Sequence, residues 1–406
     1  MKNKSKRVKS MVVLSFLGSQ MIVTLVQAQE GVETKPPVTE YEPRFPEQTR
    51  AQAVETEAEY DVNVITEALN SPWGMDELPD GRLLITQKND GNMLIYSFET
   101  GELGQPIVGF PEVNNGGQGG MLDVAIAPDF KESRLIYFTF SENVEDGTVT
   151  AVGRGLLSED ETQVENTEVI FRAEPAYNGN LHYGSRLVFD NEGNLYVSFG
   201  ERSDAGIREE AQNVEAYLGT VIHITADGQA VEASPYINDA HALAEIFTYG
   251  HRNVQGMDMH PETGEVWISE MGPQGGDEVN RLEAGSNYGW PRVSYGIEYS
   301  GAPINEGETS GDSFTEPIYY WDPSIAPSGM AFYDSDVIAE WGNNLFIGAL
   351  AGSHIARLVI EDNWVVGEER LLANEEQRFR DIHVGTDGAI YAITDQGRLY
   401  QIQSAE

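Results

Sequence analysis

The residues best suited to chemistry in this sequence lie between Tyr249 and Pro291, where charged, amide and turn-forming residues follow one another closely. Arg252 and Asn253 stand side by side there, and a guanidinium next to an amide can bind a carboxylate or stabilise a developing oxyanion. A surface salt bridge is the alternative role for Arg252, since the chain is rich in acids. Loops that follow strands commonly carry binding and catalytic residues, so this stretch is the first candidate site.

Two further polar residues lie earlier in the chain. His182 occurs in NGNLHYGSRLVF, and an imidazole that titrates near neutrality can accept a proton from an alcohol. Gln118 occurs in NNGGQGGMLD, where four glycines let the backbone approach a ligand closely. A structural histidine and an ordinary glycine-rich turn are the alternatives when each motif is taken singly.

Two arginines alternate near the C-terminus. Arg378 and Arg380 lie in QRFRDI, and this spacing places both side chains on the same face of a strand. Like charges on one face repel each other unless an anion lies between them. The sequence therefore predicts an anionic ligand beside this pair, and we expect Arg252 to join them.

Oxygen ligands for a metal ion are available in one loop. Gly272 and Pro273 can present carbonyl oxygens, and Glu278 and Tyr288 frame a tight turn. The chain contains no cysteine and no clustered histidines, so an oxygen-only set indicates Ca²⁺ rather than zinc. No EF-hand spacing, P-loop, HExxH or GxSxG motif occurs.

These residues can meet only if the strands that carry them converge, and a repeat beyond Glu59 would achieve this. A polar turn followed by a short β-branched or aromatic strand recurs at intervals of 45 to 79 residues. The six copies are centred on Leu83, Leu135, Leu195, Val266, Leu345 and Ile390. Propeller blades contain about 40–50 residues, so loop insertions account for the longer intervals. The sequence thus predicts an all-β fold, a six-bladed β-propeller, whereas a β-sandwich would not require six copies of one signature.

A propeller must close its ring. We expect Asp61–Leu69 to pair with Arg398–Gln403, which would join the N-terminal and C-terminal strands in one blade and hide both sheet edges. The inner strands of the closed ring then converge on a central axis, where distant motifs can form one site.

The N-terminus has a different character. Residues 1–28 have the pattern of a secretory signal peptide, with a basic start, the largely apolar Met11–Val26 and small residues before a cut near Ala28. We therefore expect a periplasmic or secreted protein that is not inserted in a membrane after cleavage. Residues 29–58 are acidic, contain prolines and lack periodicity, which predicts a flexible linker before the propeller at 59–406.

The charge limits the partners. The net charge is −41, and it becomes −46 without residues 1–28, which hold five cations and no acid. A surface this acidic repels nucleic acid and anionic lipid. It favours a small neutral substrate, a cation or a saline habitat.

Taken together and in order, the motifs resemble the glucose/sorbosone dehydrogenase family of soluble quinoproteins, and its periplasmic aldose sugar dehydrogenase branch in particular. The similarity covers about residues 60–403. It rests on SPWGM (71–75), GGQGGMLDVAIAPDF (116–130), NLHYGSRLVF (180–189), YGHRNVQG (249–256), GPQGGDEVN (272–280), NYGWP (287–291), SGMAFY (328–333) and RFRDI (378–382).

The resemblance implies a propeller that binds pyrroloquinoline quinone (PQQ) and Ca²⁺. It implies oxidation of an aldose at the anomeric carbon to the lactone, with electrons passed to an external acceptor. His182 is implied as the general base and Arg252 as the catalytic group that polarises the quinone oxygen. The implied cofactor contacts are Gln118, Arg252, Asn253, Arg378 and Arg380. The implied calcium ligands are the carbonyls of Gly272 and Pro273 at the cofactor, and Glu278 and Tyr288 at a second site.

The chain also departs from this family. Ala351 stands where many members have a lysine that reaches the quinone, and a charge-assisted contact of this kind contributes about 1.5–3 kcal/mol. Met271, Leu181 and Thr220 replace polar residues of other members. Two other functions stay open. One is a Ca²⁺-dependent lactonase-like propeller, in which the metal polarises a carbonyl. The other is a non-catalytic carbohydrate- or partner-binding propeller that has lost the quinone.

Overall fold

A computed structural model describes residues 31–405, and 24 strands within them form six four-stranded antiparallel sheets. The first strand, β1 (Tyr60–Thr66), belongs to the last sheet. The innermost strands of successive sheets contact one another in circular order, and the last contacts the first. The fold is therefore the expected six-bladed β-propeller.

The blades follow the chain. Blade one contains β2 (Pro72–Glu77), β3 (Leu83–Gln87), β4 (Asn92–Ser97) and β5 (Glu102–Leu103). Blade two contains β6 (Met121–Ile126), β7 (Leu135–Val144), β8 (Gly147–Leu157) and β9 (Val164–Arg172). Blade three contains β10 (Leu187–Phe189), β11 (Leu195–Phe199), β12 (Thr220–Ile224) and β13 (Ile246–Tyr249).

The second half of the ring repeats this arrangement. Blade four contains β14 (Val254–Met259), β15 (Val266–Glu270), β16 (Asp277–Arg281) and β17 (Tyr319–Trp321). Blade five contains β18 (Pro327–Phe332), β19 (Leu345–Ala349), β20 (His354–Glu361) and β21 (Trp364–Leu371). Blade six contains β22 (Phe379–Val384), β23 (Ile390–Thr394), β24 (Leu399–Ser404) and β1. The described helices are α1 (Phe130–Ser133) and the short 3₁₀ segments Pro46–Gln48, Arg208–Gln212, Ala339–Trp341 and Ala373–Glu375.

The repeated signature is the second strand of each blade. The six copies correspond to β3, β7, β11, β15, β19 and β23. These strands are mostly buried, because both faces of a blade pack against neighbouring blades, and this explains why they are nearly continuous apolar runs. The long interval before blade five is an insertion between β16 and β17, as the variable spacing predicted.

The ring closes as expected. β1 pairs antiparallel with β24, with Tyr60 opposite Ser404 and Val62 opposite Ile402. The closing blade therefore combines one strand from the start of the propeller with three from its end. β1 thereby covers the edge of β24 and becomes the outer strand of the closing blade.

Residues 31–58, here called the N-terminal strap, differ from the prediction of a flexible linker. The strap lies along the outer strands of blades four and five: Thr49 forms a parallel bridge with Tyr320, and Ala53 with Glu368. The backbone N–H of Thr39 donates to the Asp322 carboxylate at 3.0 Å, and the buried Gln48 side chain donates to a carbonyl of the same region. The strap is ordered by backbone pairing with distant strands, which composition does not reveal.

The predicted signal peptide, residues 1–28, lies outside the described residues. Within residues 31–405, no helix is long and apolar enough to cross a membrane.

Four aspartates join neighbouring blades near the axis: Asp123 and Asp381 are buried, and Asp76 and Asp258 are half-buried. Each accepts a hydrogen bond from a backbone N–H of the next blade at 2.7–3.0 Å. The pairs are Asp76 with Ile126, Asp123 with Leu187, Asp258 with Phe332 and Asp381 with Met75. These acids line a cavity of about 310 Å³ at the end of the axis where the inner strands finish. Their oxygens satisfy inner-strand amides, so we assign them a structural role.

Candidate active site

A second axial cavity lies at the opposite end, where the inner strands begin. It has a volume of about 270 Å³, and all six blades contribute to its wall. The wall residues used below are Trp73, Lys88, Gln118, Gln255, Arg378 and Arg380. The fold thus gathers residues that are up to about 300 positions apart in the sequence, which is the convergence that the repeat predicted.

The wall of this cavity is cationic. Lys88, Arg378 and Arg380 line it, and no aspartate or glutamate does so within the described part of the chain. This contrasts with the chain as a whole, whose net charge is −41. A concave, partly desolvated surface with one sign of charge concentrates ligands of the opposite sign, so the cavity favours an anion.

The structure brings Arg378 and Arg380 together, but an anion of the protein already lies between them. Asp395 accepts from Arg378 Nε at 2.9 Å and from Arg380 Nε at 2.8 Å. The inference that only a ligand could separate these charges is therefore wrong, because it overlooked a carboxylate from the next hairpin. Burial opposes the ionised form of Asp395, yet the charge of Arg380 and the hydrogen bonds from both arginines lower its pKa. Two cations still share one carboxylate.

His182 forms a buried pair with Glu201. The Nδ1 of His182 lies 2.6 Å from a carboxylate oxygen of Glu201, whose side chain is fully buried. The other Glu201 oxygen accepts from the backbone N–H of Ser203. Because a carboxylate can only accept, Nδ1 carries the proton, and Nε2 of the neutral ring keeps its lone pair. Burial and the nearby charge of Arg252 lower the pKa of His182, which keeps the ring neutral near pH 7.

The backbone around His182 is constrained. His182 has a φ of 46°, in the left-handed region that few non-glycine residues adopt. Its N–H donates to the side-chain oxygen of Gln118 at 2.7 Å, and the Gln118 N–H donates to the carbonyl of Asn180. A side chain at Gly200 would collide with the carbonyl of His182. The glycine-rich loop of Gln118 and a glycine at the end of β11 together fix the imidazole.

The guanidinium of Arg252 is buried without a carboxylate partner among residues 31–405, whereas its backbone N–H donates to the Glu270 carboxylate at 2.7 Å. Its Nη1 donates to the carbonyls of Met271 at 2.8 Å and Gly272 at 2.6 Å, and its guanidinium lies 5.2 Å from the ring centre of Trp290. Its Nε is buried and has no hydrogen-bond partner. A buried donor without an acceptor costs free energy, so this N–H is available to an acceptor that enters from outside the protein.

Asn253 links two blades. Its side-chain oxygen accepts from the backbone N–H of Gly184 at 3.1 Å, and its amide nitrogen lies 3.9 Å from the sulfur of Met271. Gly184 lines the cationic cavity. Asn253 therefore holds the segment after His182 against the strand end that carries Arg252.

All four residues predicted as metal ligands line one narrow cavity of about 10 Å³ beside Arg252: Gly272, Pro273, Glu278 and Tyr288. The carbonyl of Gly272 already accepts from Arg252, and that of Pro273 lies 3.3 Å from Ser324 Oγ. The Tyr288 hydroxyl donates to the carbonyl of Arg281, so a ligand from Tyr288 would be its own carbonyl.

The electrostatics of this narrow cavity suit a cation. Burial and the neighbouring Glu270 carboxylate raise the pKa of Glu278 well above its usual range. Two buried carboxylates destabilise each other unless a proton or a cation lies between them. Within residues 31–405, no group of three or more histidine, aspartate or glutamate side chains has an arrangement that could hold a metal. A metal here would depend on backbone carbonyls in addition to Glu278.

The sequence did not single out three residues of the site: Lys88, Glu201 and Asp395. Lys88 follows β3 directly and Asp395 follows β23 directly, while Glu201 lies two positions after the end of β11. These are the second strands of blades one, six and three, so a charged residue one or two positions after the repeated strand is the signal that could have identified all three.

Comparisons with known proteins agree with this geometry. The family model described as Glucose / Sorbosone dehydrogenase matches residues 69–401. Aldose sugar dehydrogenase YliI of Escherichia coli (strain K12) is 40% identical over 349 residues, covering 85% of this chain and 93% of its own length.

Two solved structures extend the similarity to the fold. The apo-form soluble aldose sugar dehydrogenase of Escherichia coli superposes with a TM-score of 0.81 at 38% identity, covering 85% of this chain and all of its own. The PQQ-bound form of aldose sugar dehydrogenase from Streptomyces coelicolor gives a TM-score of 0.70 at 25% identity, covering 86% of this chain and 99% of its own. With its fold, its axial site and these matches, the chain belongs to the glucose/sorbosone dehydrogenase family.

Proposed function

We propose that this protein is a PQQ-dependent dehydrogenase that oxidises aldoses at the anomeric carbon to lactones. The observation that carries the proposal is a cavity lined, among residues 31–405, by three cations that share one neighbouring carboxylate, Asp395, in a chain of net charge −41. PQQ carries three carboxylates and is the anion that this wall would accept. A relative whose solved structure is PQQ-bound supports the same choice.

The residues present fit the cofactor. Arg378 and Arg380 share a single carboxylate, so their remaining N–H groups can bind carboxylates of the ligand. The buried and unpartnered Nε of Arg252 would donate to a cofactor oxygen. Gln118 borders the same cavity. When bound, PQQ would supply the two-electron acceptor for the hydride of the anomeric C–H bond.

The proton of the reaction goes to His182. Nε2 of the neutral imidazole accepts it from the anomeric hydroxyl, which breaks the O–H bond as the C=O bond of the lactone forms. Glu201 holds Nδ1–H and stabilises the imidazolium that results, as the buried acid does in a catalytic triad. Arg252 cannot serve as the base, because a guanidinium keeps its proton at neutral pH.

We propose two roles for calcium. The carbonyls of Gly272 and Pro273 would bind Ca²⁺ at the cofactor, and Glu278 and the Tyr288 carbonyl would bind it in the adjoining narrow cavity. The raised pKa of Glu278 supports the second site, because a divalent cation would relieve its repulsion with Glu270.

The proposal also includes the cellular location of the protein and the acceptor of its electrons. The N-terminal pattern of residues 1–28 supports export to the periplasm or beyond, and an external acceptor would receive the electrons.

Reconstitution tests the function. Apoprotein supplied with PQQ and Ca²⁺ should reduce an artificial dye in the presence of aldoses. His182→Ala should lower kcat by about 10²- to 10⁴-fold while PQQ still binds, and His241→Ala, at an exposed histidine, should leave the rate unchanged. Binding of PQQ with full dye reduction by His182→Ala would exclude this base.

The same assay separates the alternatives. Failure to bind PQQ, without dye reduction, would favour a non-catalytic binding propeller. Ca²⁺-dependent hydrolysis of a lactone in the absence of PQQ would favour the lactonase-like function. The carboxylates that ring the axis lie at the far cavity and accept backbone N–H groups, which weighs against the latter.

A further inference from the structure

Lys88 is a cation of the active cavity for which the mechanism above has no use. It follows β3 in blade one and lines the same wall as Arg378 and Arg380. Its ammonium donates to the carbonyl of Gly117 at 3.2 Å, and no carboxylate of the described residues forms an ion pair with it. Burial and the charge of Arg380 lower the pKa of Lys88, and the charge of Asp395 offsets this only in part.

The backbone aims this side chain into the cavity. The N–H of Lys88 donates to the carbonyl of Ser71, and its own carbonyl accepts from the N–H of Met121 in blade two. Gly120 has a φ of +143°, and a side chain there would collide with the carbonyl and the aliphatic stem of Lys88. The stem therefore lies in a groove that only glycine leaves open.

The three cations of the wall outnumber the carboxylates that pair with them. Asp395 is the carboxylate that pairs with both arginines, and it makes no ion pair with Lys88. Three positive charges against one negative leave a formal surplus of two at the wall. Blade five adds no charge, because its wall residues are Ala326 and Leu350.

We infer that Lys88 is a third anion-binding residue, which holds a carboxylate of the cofactor from the side of blade one while Arg378 and Arg380 hold it from blade six. This inference rests on the proposed function. It assigns binding of the ligand, and not proton transfer, to Lys88, so it is a positioning residue for the cofactor.

Substitution at Lys88 tests the role through binding. Lys88→Met keeps the stem and removes the charge, whereas Lys88→Arg keeps the charge. In titrations of apoprotein with PQQ, Lys88→Met should raise the Kd about 10- to 100-fold, and Lys88→Arg should stay within a few-fold of wild type. Lys131→Met, at an exposed lysine, is the matched control and should bind as wild type does.

Thermal stability provides a second readout. A merely structural lysine would lower the Tm of the apoprotein when removed. If Lys88 is instead a half-buried cation without an ion pair in the apoprotein, its removal costs the apoprotein no stability, so apo Lys88→Met should melt no lower than wild type. The increase in Tm caused by PQQ should be smaller in this variant than in wild type.

Each result decides between the two hypotheses. If wild type binds PQQ and Lys88→Met binds it equally well, the inference is wrong and the proposed function stands. An unchanged Kd with a raised KM for the sugar would place Lys88 at the substrate and would also overturn it. If wild type does not bind PQQ at all, the proposed function itself fails.

Discussion

At the scale of single residues, the site depends on partners that fix protonation. In the proposed mechanism, His182 can accept a proton at Nε2 only if its own proton stays on Nδ1, and the Glu201 carboxylate, 2.6 Å from Nδ1, is the acceptor that keeps it there. Because the pair is buried, replacing the Glu201 carboxylate changes both the tautomer and the pKa of His182.

Glu201→Gln should therefore damage catalysis without breaking the fold. The amide can bond Nδ1 in either orientation, so the correct tautomer is no longer enforced, and kcat should fall about 10²- to 10⁴-fold. Loss of the negative charge also removes an effect that raises the pKa of His182. The acid limb of the kcat/KM profile, expected below the ordinary histidine value of about 6.5, should thus move to lower pH.

A pH–rate series with reconstituted enzyme measures this change, and Glu192→Gln, at an exposed acid, serves as the control. An acid limb that moves upward would contradict the assignment of Glu201 as the anionic partner.

Asp395 is a second residue whose replacement separates stability from binding. Asp395→Asn leaves Arg378 and Arg380 without their shared anion, so the apoprotein should melt at a lower temperature. A ligand that supplies carboxylates should then bind more tightly than in wild type, because the competing protein anion is gone. Calorimetry of the apoprotein and a PQQ titration check both directions. Weaker PQQ binding would show that Asp395 orients the arginines and does not compete for them.

Some of these residues could be predicted from the sequence and others could not. Arg378 and Arg380 were found because their alternation is local, but Asp395 lies 15 residues beyond Arg380 and meets it only when two strands pair. His182 was found by its chemistry alone, whereas Glu201 joins it across 19 residues. Pairings of this kind depend on the tertiary fold, and the sequence does not show them unless the register of the strands in each blade is known.

At the scale of elements, the blades are held together by carboxylates that bond to backbone. Asp258 in β14 accepts from the N–H of Met259 at 2.8 Å and from that of Phe332 in β18 at 2.7 Å. The strand signatures predicted the blades from alternation and turns, but the acids between blades were not recognised, because a single aspartate within an apolar strand does not indicate its acceptor role.

Asp258→Ala should destabilise the contact between blades four and five. It leaves the buried Phe332 N–H without an acceptor, and this should cost about 1–3 kcal/mol of unfolding free energy. Asp336→Ala, at an exposed aspartate of the adjoining loop, should change it by less than about 0.5 kcal/mol. Chemical denaturation at pH 7 compares the two, and equal stability of the two variants would rule out a role for this hydrogen bond.

Asp258 should also make the stability of the protein depend on pH. Burial raises the pKa of Asp258 to about 6 in the folded protein, above its ordinary value of 3.8. The folded state therefore binds the proton more strongly than the unfolded chain, and this contribution to stability is present at low pH and lost as pH rises from about 4 to about 6. Asp258→Asn should abolish this part of the slope, which unfolding curves across that range would reveal.

At the scale of the whole molecule, a cationic cavity lies inside a strongly anionic protein. Folding places Lys88, Arg378 and Arg380 at one end of the axis, while the net charge of the chain is −41. A trianionic ligand therefore experiences repulsion at long range and attraction at the wall. The Debye length is about 30 Å at 0.01 M salt and about 8 Å at 0.15 M, so salt screens the first effect more strongly than the second.

This difference predicts an unusual salt response. Raising the ionic strength from about 0.01 to about 0.15 M should increase the association rate of PQQ several-fold, because the repulsion that slows its approach is screened. The dissociation rate should change less, since it depends on partly buried contacts inside the cavity. Stopped-flow mixing of apoprotein with PQQ measures both rates, and the uncharged trimethyl ester of PQQ is the control whose association should not respond to salt. An association rate for PQQ that falls with salt would mean that the field of the cavity mouth extends beyond the acidic surface, so that local charge and not net charge governs the approach of the cofactor.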